Sequence, residues 1–254
     1  MPPEEIVVRL RAAGCVFAED EARLLVEASG SAAELERMVA ERLAGLPLEL
    51  IVGYAEFCGL RIAVAPGVFV PRQRTALLVA RAAALLTPGA VVVDLCCGTG
   101  AVGAALAAAA EGVDVWACDI DPDAVRCARR NLPPDRVREG DLYDALPDGL
   151  RGRVDLLVAN APYVPTDAIA LMPPEARDHE HRVALDGGPE GLDVQARVAA
   201  GATGWLAPGG ALLIETSIRQ APLTAALMTA AGLSAEVVDD EETGGTVVVG
   251  TRRN

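Results

Sequence analysis

From residue 75 onward, short apolar runs alternate with longer segments in which apolar residues recur at helical spacing. The short runs predict strands over 91–95, 113–119, 137–139, 154–160 and 211–216. The longer segments predict helices over 75–86, 101–110, 122–131 and 192–206. Strands and helices that alternate in this way are typical of a doubly wound, mostly parallel α/β sheet.

The end of the chain departs from this alternation. A helix is predicted over 221–231, and two strands over 235–239 and 246–251 follow it with a Gly-Gly pair between them. Two strands joined by a glycine pair are typical of an antiparallel hairpin. The hairpin brings the predicted sheet to seven strands and gives it an antiparallel edge.

The first part of the chain has a different pattern. Apolar residues at helical spacing predict three short helices within 4–44, and Ser31 with Glu34 forms a capping box for the third. Glycines then interrupt short apolar runs, which is a hairpin pattern; the runs lie at 51–52, 60–64 and 68–70. We therefore predict a small helical domain over 1–47 closed by Pro47, a hairpin linker over 48–74 and the main domain over 75–254.

The charge of the chain argues against some functions. The 254 residues carry a formal net charge of −14, and all 22 basic residues are Arg. A strongly acidic protein repels phosphate backbones at long range, so we expect no direct non-specific nucleic-acid binding. Because the chain has no Lys, it cannot use a Schiff base or a lysine as general base.

The distribution of apolar residues also bears on location. The segment after Met1 is polar and does not resemble a signal peptide. The longest apolar stretches, such as 101–110, are too short to span a bilayer. We expect a cytoplasmic protein without a membrane partner.

The cysteines do not predict a metal site. The six cysteines stand at positions 15, 58, 96, 97, 118 and 127, and none of them form a Cys-x-x-Cys pair. The two histidines, His179 and His181, lie far from them in sequence. This spacing favours reduced, partly buried thiols and no bound metal.

The first candidate site is the turn after the predicted strand 91–95. The candidate cofactor-binding residues here are Asp94, Cys96, Cys97, Gly98, Thr99 and Gly100. Glycines at a turn that opens a helix let the backbone approach a ligand. The turn alone is equally compatible with a cofactor loop and with a plain tight turn. Because Cys carries a Cβ, we expect φ below zero where Cys occupies this turn.

Asp119 ends the next predicted strand, nineteen residues after Gly100. A carboxylate at this position can accept hydrogen bonds from both hydroxyls of a ribose. The alternative is that Asp119 caps the following helix. Asp121 already occupies the cap position before Pro122, which leaves Asp119 free for a ribose.

A second acidic candidate follows the third predicted strand. Asp141 could accept a hydrogen bond from an adenine amino group, and Leu142 could pack on the adenine ring. The alternative is an ordinary loop acid in an acid-rich protein. The sequence leaves both interpretations open.

The most discriminating element is Asn160-Ala161-Pro162-Tyr163, which follows the apolar run of strand character 154–159. The Asn160 side-chain oxygen and the Ala161 carbonyl can accept both hydrogens of an NH₂ group, which would aim the nitrogen at a methyl donor. Pro162 restricts the backbone around that carbonyl, and Tyr163 offers an aromatic face. The alternative is an Asx turn that ends a strand. The glycine turn upstream favours a site for methyl transfer.

Together, these residues resemble the HemK-type protein-glutamine methyltransferases over nearly all of the chain. The resemblance includes Phe57 with Gly59, the run Val68 to Arg72, the turn Asp94 to Gly100, Asp119, and Asn160 to Tyr163. Its most specific parts are Pro-Glu-Ala-Arg-Asp-His-Glu at 174–180 and Ala-Leu-Asp-Gly-Gly-Pro-Glu-Gly-Leu at 184–192. The Asn-x-Pro-Tyr pattern alone is shared with adenine and guanine amino methyltransferases.

The resemblance implies a fold, a cofactor and a substrate. The implied fold is a Rossmann-like class I methyltransferase sheet behind a helical N-terminal domain and a hairpin linker. The implied cofactor is S-adenosylmethionine, lined by Cys96 to Gly100, Asp119, Leu142 and Asn160. The implied substrate is a glutamine side chain of a class-one peptide release factor, held by Asn160, Ala161, Pro162 and Tyr163 and methylated on its amide nitrogen.

Three departures from the family's pattern bear on the substrate. Ala161 stands where the first Pro of Asn-Pro-Pro-Tyr is usual, and the helical part is shorter than is typical. The usual Pro-Arg-Pro-Glu-Thr-Glu is replaced by Pro71-Arg72-Gln73-Arg74-Thr75-Ala76, which removes two acids near the mouth of the implied site. Two alternative acceptors are therefore a small molecule and, less favoured by the charge, an exocyclic amine of a nucleic-acid base.

Overall fold

The computed structural model describes residues 2–253. Its first part consists of four helices, α1 (Pro3–Ala12), α2 (Ala18–Ala28), α3 (Ala32–Leu43) and α4 (Leu48–Val52). They share a small apolar core that contains Ile6, Leu10, Leu25 and Val39. Ser31 caps α3 as predicted, because its side-chain oxygen accepts a hydrogen bond from the Glu34 N–H at 3.2 Å.

A hairpin follows the helices, and of the three predicted apolar runs only 60–64 corresponds to one of its strands. The hairpin is formed by β1 (Tyr54–Phe57) and β2 (Leu60–Ala63), which pair antiparallel. The run 51–52 is wrong as a strand, because Pro47 starts α4 and Gly53 ends it with φ of 86°. The run 68–70 is also not a strand, and its backbone is bound instead by a side chain: the Val70 N–H donates to Glu180 Oε1 at 3.0 Å.

The main part is the predicted doubly wound sheet of seven strands. Its strands are β3 (Val91–Leu95), β4 (Asp114–Asp119), β5 (Val137–Glu139), β6 (Val154–Ala159), β7 (Leu206–Glu215), β8 (Leu233–Asp240) and β9 (Gly245–Arg252). Its helices are α5 (Ala76–Ala83), α6 (Ala101–Ala109), α7 (Pro122–Ala128), α8 (Pro174–His179), α9 (Asp193–Ala202) and α10 (Ala221–Ala230). Apolar cores cover both faces of the sheet.

The strand order is β5-β4-β3-β6-β7-β9-β8. The strands from β5 to β7 are parallel, and β9 and β8 form the predicted antiparallel edge. After β3 the chain forms β4 and then β5 on one side of β3, and β6 then pairs with the other side of β3. In open α/β sheets, the crevice at such a reversal of strand order is where ligands bind.

Several boundaries differ from the predictions by one to five residues, most of all where β7 begins. The helix predicted over 192–206 ends at Ala202, and Leu206 already belongs to β7. Leu206 pairs with Val154 of β6, and the register shifts between Val154 and Leu156, so β7 extends past an irregularity that the apolar pattern does not reveal. The short helix α8 was not predicted.

The helical N-terminal part is joined to α8 by an arginine. Arg42 of α3 donates from Nε to Glu21 Oε2 at 2.6 Å and from Nη1 to Glu175 Oε1 at 2.8 Å. The Arg42 side chain is only 12% exposed, so the pair with Glu21 is well shielded from water. This contact connects the small helical core to the segment that precedes residues 182–186.

Over the described range 2–253, no helix combines the length and the apolarity that a membrane span requires.

Candidate active site

The sequence-predicted residues meet in one cavity at the carboxyl ends of β3, β4 and β6. The cavity has a volume of about 530 Å³. Its lining includes Asp94, Cys96, Cys97, Gly98, Thr99, Asp119, Asp141, Leu142, Asn160, Ala161, Pro162 and Tyr163. Gly100 lies behind the turn, where an added Cβ would be 3.0 Å from Leu132 Cδ1. The turn after β3 and the segment after β6 therefore face the same space.

The turn after β3 uses glycine where the backbone requires it. Gly98 and Gly100 have φ of 54° and 75°. Both values lie in the left-handed region that favours glycine. Asp94 is 2% exposed, and its Oδ2 accepts a hydrogen bond from the Gly103 N–H at 2.9 Å. Burial raises the pKa of Asp94 to about 7. Its hydrogen bond with Gly103 holds the first turn of α6 at the cavity wall.

Cys96 departs from the expectation for its backbone. Its φ is 55°, so the expectation that φ stays below zero is wrong at this position. The turn needs a left-handed residue here because the next N–H, that of Cys97, must donate to the Cys118 carbonyl of β4 at 3.0 Å. Burial raises the pKa of the Cys96 and Cys97 thiols well above their usual range. Both thiols are protonated and weakly nucleophilic.

Asp119 lines the cavity, but it is not free as the sequence suggested. Its Oδ2 accepts from the Gly98 N–H at 2.8 Å, and its Oδ1 accepts from the Asp121 N–H at 3.0 Å. Asp121 does cap α7, where it accepts from the Asp123 N–H at 2.8 Å. A carboxylate has about four acceptor sites, so both oxygens of Asp119 keep capacity for hydroxyl donors. Asp119 thus ties the glycine turn to β4 while it faces the cavity.

The two residues after β5 have different surroundings. Leu142 is buried, has φ of 50° and lines the cavity with its apolar side chain. Asp141 also lines the cavity, but its Oδ2 is 2.7 Å from Arg197 Nη2. An ion pair therefore already engages one oxygen of the predicted adenine acceptor.

The segment after β6 is held from behind by other elements. The Asn160 Nδ2 group donates to Thr75 Oγ1 at 3.4 Å, and the Tyr163 hydroxyl donates to Glu215 Oε1 at 3.4 Å. The Gln220 Nε2 group donates to the Tyr163 carbonyl at 2.9 Å. The bond to Thr75 engages the nitrogen of the Asn160 amide, so the Asn160 oxygen is available to a ligand.

Sequence reasoning missed several residues of this site. Thr75 and Arg74 line the cavity from the turn before α5, and Glu215 supports it from the end of β7. A signal for Glu215 existed, because it is an acid at the end of an apolar strand run. Residues 182–186 also line the cavity; they overlap the segment that carries the family resemblance.

One group of possible metal ligands lies beside the cavity. The ligand atoms of Asp121, Asp123 and His181 are within 4.8 Å of one another. The spacing argument, which rested on Cys and His, did not identify this group. Its members have partners in the fold: His181 Nδ1 is 2.6 Å from Asp121 Oδ2, and Asp123 pairs with Arg126. These contacts account for the three side chains without a cation.

The cavity fits the cofactor that the resemblance implies. A Cβ added at Gly98 would lie 3.9 Å from Phe69 Cβ, in ordinary van der Waals contact, so the bare backbone of the turn borders the cavity beside Phe69. Asp119 supplies a carboxylate for hydroxyl groups, and Leu142 with the partly exposed Ile120 supplies apolar surface for a flat ring. A bare turn, a carboxylate and an apolar wall are what a nucleoside requires.

Comparison with known proteins agrees with this chemistry. Residues 59–172 match the family model of the methyltransferase small domain. A release factor glutamine methyltransferase of Geobacter sulfurreducens is 37% identical over 199 residues, which cover 77% of this chain and 69% of that protein.

A second relative methylates a different kind of acceptor, according to its name. The 4-amino-L-phenylalanine/4-methylamino-L-phenylalanine methyltransferase of Streptomyces pristinaespiralis is 39% identical over 203 residues, which cover 76% of this chain and 69% of that protein.

A solved structure agrees at the level of the fold. The crystal structure of a methyltransferase from Pyrococcus furiosus superimposes with a TM-score of 0.58 at 17% identity, covering 77% of this chain and 90% of that one. The class I methyltransferase fold expected from the resemblance is therefore confirmed, and S-adenosylmethionine is the methyl donor. On the identity and coverage of its relatives, the chain belongs to the release factor glutamine methyltransferase family.

Proposed function

We propose that the protein transfers a methyl group from S-adenosylmethionine to the side-chain amide nitrogen of a glutamine in a peptide chain release factor. The observation that carries the proposal is the position of Asn160 to Tyr163, which face the same cavity as the glycine turn and Asp119. The similarity to release factor glutamine methyltransferases such as that of Geobacter sulfurreducens supports the same acceptor.

The cofactor would be held mainly by the carboxyl ends of β3 and β4. S-adenosylmethionine supplies an electrophilic methyl group on a sulfonium when it is bound. The backbone at Gly98 approaches it closely, and Asp119 accepts hydrogen bonds from its ribose hydroxyls. Leu142 packs on the adenine ring, and Asp141 contributes its remaining acceptor capacity beside Arg197.

The acceptor would be held by the segment after β6. An amide nitrogen is a poor nucleophile, because its lone pair is delocalised into the carbonyl. The Asn160 oxygen and the Ala161 carbonyl accept its two hydrogens and fix the direction of the nitrogen. Both hydrogen bonds strengthen as positive charge develops on the nitrogen, so they stabilise the transition state more than the bound substrate. Tyr163 packs against the planar amide.

The rim of the cavity supports a protein acceptor. Val183 lines the cavity and is 46% exposed, and Leu171 beside the lining residue Met172 is 86% exposed. Large apolar side chains exposed around one opening mark a surface that contacts a partner. A glutamine presented on a polypeptide loop would cover these side chains as it enters.

A small amine is the second candidate acceptor. The chain is about as similar to the Streptomyces pristinaespiralis amino-acid methyltransferase as to the Geobacter sulfurreducens enzyme. Arg74 and Ala76 also stand where the resemblance leads us to expect acids, and Arg74 lines the cavity. A basic side chain near the acceptor would suit a carboxylate-bearing amine. The net charge of −14 disfavours a nucleic-acid base as acceptor.

The acceptor can be decided by comparing two candidate acceptors in separate incubations. The purified protein is incubated with methyl-labelled S-adenosylmethionine and either the host's class-one release factors or 4-amino-L-phenylalanine, and the products are analysed by mass spectrometry. We expect label on one release-factor glutamine. Label on the free amino acid alone would contradict the proposal and support the second candidate.

We also propose a cytoplasmic location. All six cysteines are free in the structure, and several of them are buried near one another around the cofactor turn. Unpaired thiols suit a reducing compartment.

Asp119→Ala should weaken S-adenosylmethionine binding by more than about tenfold. The variant loses a charged acceptor for two hydroxyls, and a hydrogen bond to a charged group contributes roughly 1.5–3 kcal/mol. Calorimetry measures the affinity, with Asp123→Ala as the control because Asp123 is a half-buried acid of the same region that does not line the cavity. An unchanged affinity in Asp119→Ala would remove its role at the ribose.

A Cys96→Ala, Cys97→Ala double variant should keep cofactor affinity and turnover within a few-fold. The thiols are held protonated by burial, and Ala at position 96 has the same backbone strain as Cys. Steady-state kinetics with a thermal melt checks this. Loss of methylation in a variant that melts like the wild type would show that a thiol takes part in the reaction.

Asn160→Ala should lower the single-turnover rate by about 100-fold, the scale of one lost oriented hydrogen-bond partner. Ala161→Pro should be nearly neutral, because it keeps the carbonyl that accepts the second hydrogen. Rapid-quench measurement with the established acceptor compares the two variants. If Asn160→Ala retained most of the wild-type rate, the mechanism in which Asn160 and the Ala161 carbonyl hold the acceptor amide would be wrong.

A further inference from the structure

The Gln220 side chain lies where three backbone segments meet on the acceptor side of the site. Gln220 directly precedes α10, and its Nε2 group donates to the Tyr163 carbonyl oxygen at 2.9 Å. The same group donates to the carbonyl oxygens of Glu190 at 2.9 Å and Gly191 at 3.3 Å. One side-chain amide therefore joins the start of α10 both to the segment after β6 and to the 187–191 loop.

The orientation of the Gln220 amide is fixed from both of its ends. A carbonyl oxygen only accepts hydrogen bonds, so the atom that faces three carbonyls must belong to the NH₂ group. At the other end, the Ser217 hydroxyl donates to Gln220 Oε1 at 2.6 Å. The Gln220 N–H also donates to the Ser217 carbonyl oxygen at 2.9 Å. Ser217 and the three carbonyls thus select the same orientation of the amide.

The 187–191 loop can lie this close to the segment after β6 because it carries glycine. Gly187 and Gly191 are both buried. A Cβ added at Gly187 would lie 2.6 Å from the Pro162 carbonyl oxygen. A Cβ added at Gly191 would overlap both the Tyr163 carbonyl oxygen and Gln220 Nε2. The loop therefore presents bare backbone to two of the residues that we propose hold the acceptor.

Tyr163 is held at two separate points. Its hydroxyl donates to Glu215 Oε1 at 3.4 Å, and its carbonyl accepts from Gln220. Pro162, the residue before it, has a restricted φ, so a displacement of Tyr163 is transmitted to the Ala161 carbonyl instead of being absorbed by rotation at Pro162. The position of the Ala161 carbonyl thus depends on the contact that Gln220 makes.

We infer that Gln220 is a positioning residue for the methyl acceptor. Through the Tyr163 carbonyl and the 187–191 loop it fixes the segment that we propose holds the glutamine amide. Gln220 itself lies outside the cavity lining, so it acts through that segment and not by contact with a ligand. The inference rests on the proposed function for its kinetic consequence and on the hydrogen bonds of Gln220 alone for its structural one.

Gln220→Glu tests the kinetic consequence. The variant keeps the length of the side chain but places an oxygen against three carbonyls. We expect kcat for glutamine methylation to fall roughly 10- to 100-fold, since a misplacement of about 1 Å can slow a reaction by about 100-fold. S-adenosylmethionine affinity, measured by calorimetry, should not change. A wild-type kcat, or a cofactor affinity that falls as much as kcat, would overturn the inference.

The matched control is Gln195→Glu. Gln195 is fully buried, donates to Thr216 Oγ1 at 3.2 Å and accepts from Thr224 Oγ1 at 2.6 Å. Its partners are hydroxyls, which can rotate to donate to a carboxylate, whereas the carbonyl partners of Gln220 cannot donate. Gln195→Glu should therefore keep most of the wild-type kcat. An equal fall of kcat in the two variants would contradict a specific role of Gln220.

Two further variants separate the lost donors from the added charge. Gln220→Met removes the NH₂ group without adding a charge, and it should also lower kcat. Ser217→Ala removes the donor to Gln220 Oε1 and should lower kcat less. In the double variant the Ser217 substitution should add almost nothing, because both changes act through one amide. Fully multiplicative effects on kcat would contradict the inference.

Carbonyl NMR tests the structural consequence without any acceptor. The chain has three tyrosines, and only Tyr163 is followed by valine. Labelling with carbonyl-¹³C tyrosine and ¹⁵N valine therefore isolates the signal of the Tyr163–Val164 peptide. Gln220→Met should move the Tyr163 carbonyl signal upfield, the direction of a lost hydrogen bond, while Gln195→Glu should leave it in place.

The two kinds of measurement fail separately. An unmoved Tyr163 carbonyl signal in Gln220→Met would overturn the inference even if the protein methylates a release-factor glutamine. If the wild type methylates no glutamine, the proposed function fails, and the carbonyl signal still decides whether Gln220 positions Tyr163.

Discussion

The site depends on the parallel pairing of β3 with β4 on one side and β6 on the other. Parallel strands end at the same edge of a sheet, so their following segments are forced into one crevice. The glycine turn after β3, Asp119 at the end of β4 and Asn160 after β6 come from distant parts of the chain. The pairing places the glycine turn and Asp119, which we propose as the nucleoside site, in the same cavity as Asn160, which we propose holds a planar amide.

Buried polar groups then set the details of that crevice. Asp119 ties the glycine turn to β4, Asp94 holds the first turn of α6, and Glu215 accepts a hydrogen bond from the Tyr163 hydroxyl. Each carboxylate loses hydration and recovers stability only through donors in fixed positions. Such groups rigidify the fold around them, because any displacement leaves a buried oxygen unpaired. Precise positioning is what a reaction of a poor nucleophile needs.

The sequence was sufficient to predict those features of the fold and the site that depend on local residue patterns. The alternation of strands and helices, the antiparallel edge and the candidate residues from Asp94 to Tyr163 could be predicted, because periodicity and strand ends are visible along the chain. The partners of those residues could not. The bond from Gly98 to Asp119, the ion pair of Asp141 with Arg197 and the positive φ of Cys96 arise from packing between distant segments. The apolar runs at 51–52 and 68–70 predicted strands that do not form. Residues 51–52 belong to α4, which begins after Pro47, and the Val70 N–H donates to the Glu180 side chain just after α8 instead of to a neighbouring strand.

We propose that Asn160 and the Ala161 carbonyl together hold the acceptor amide next to the methyl donor. A crystal structure of the protein with S-adenosylhomocysteine and a peptide that contains the acceptor glutamine tests this arrangement most directly. We expect the glutamine nitrogen to lie within hydrogen-bond distance of both Asn160 Oδ1 and the Ala161 carbonyl oxygen and to face the cofactor's sulfur. A glutamine nitrogen bound elsewhere in the cavity, with Asn160 Nδ2 turned toward it, would contradict this arrangement.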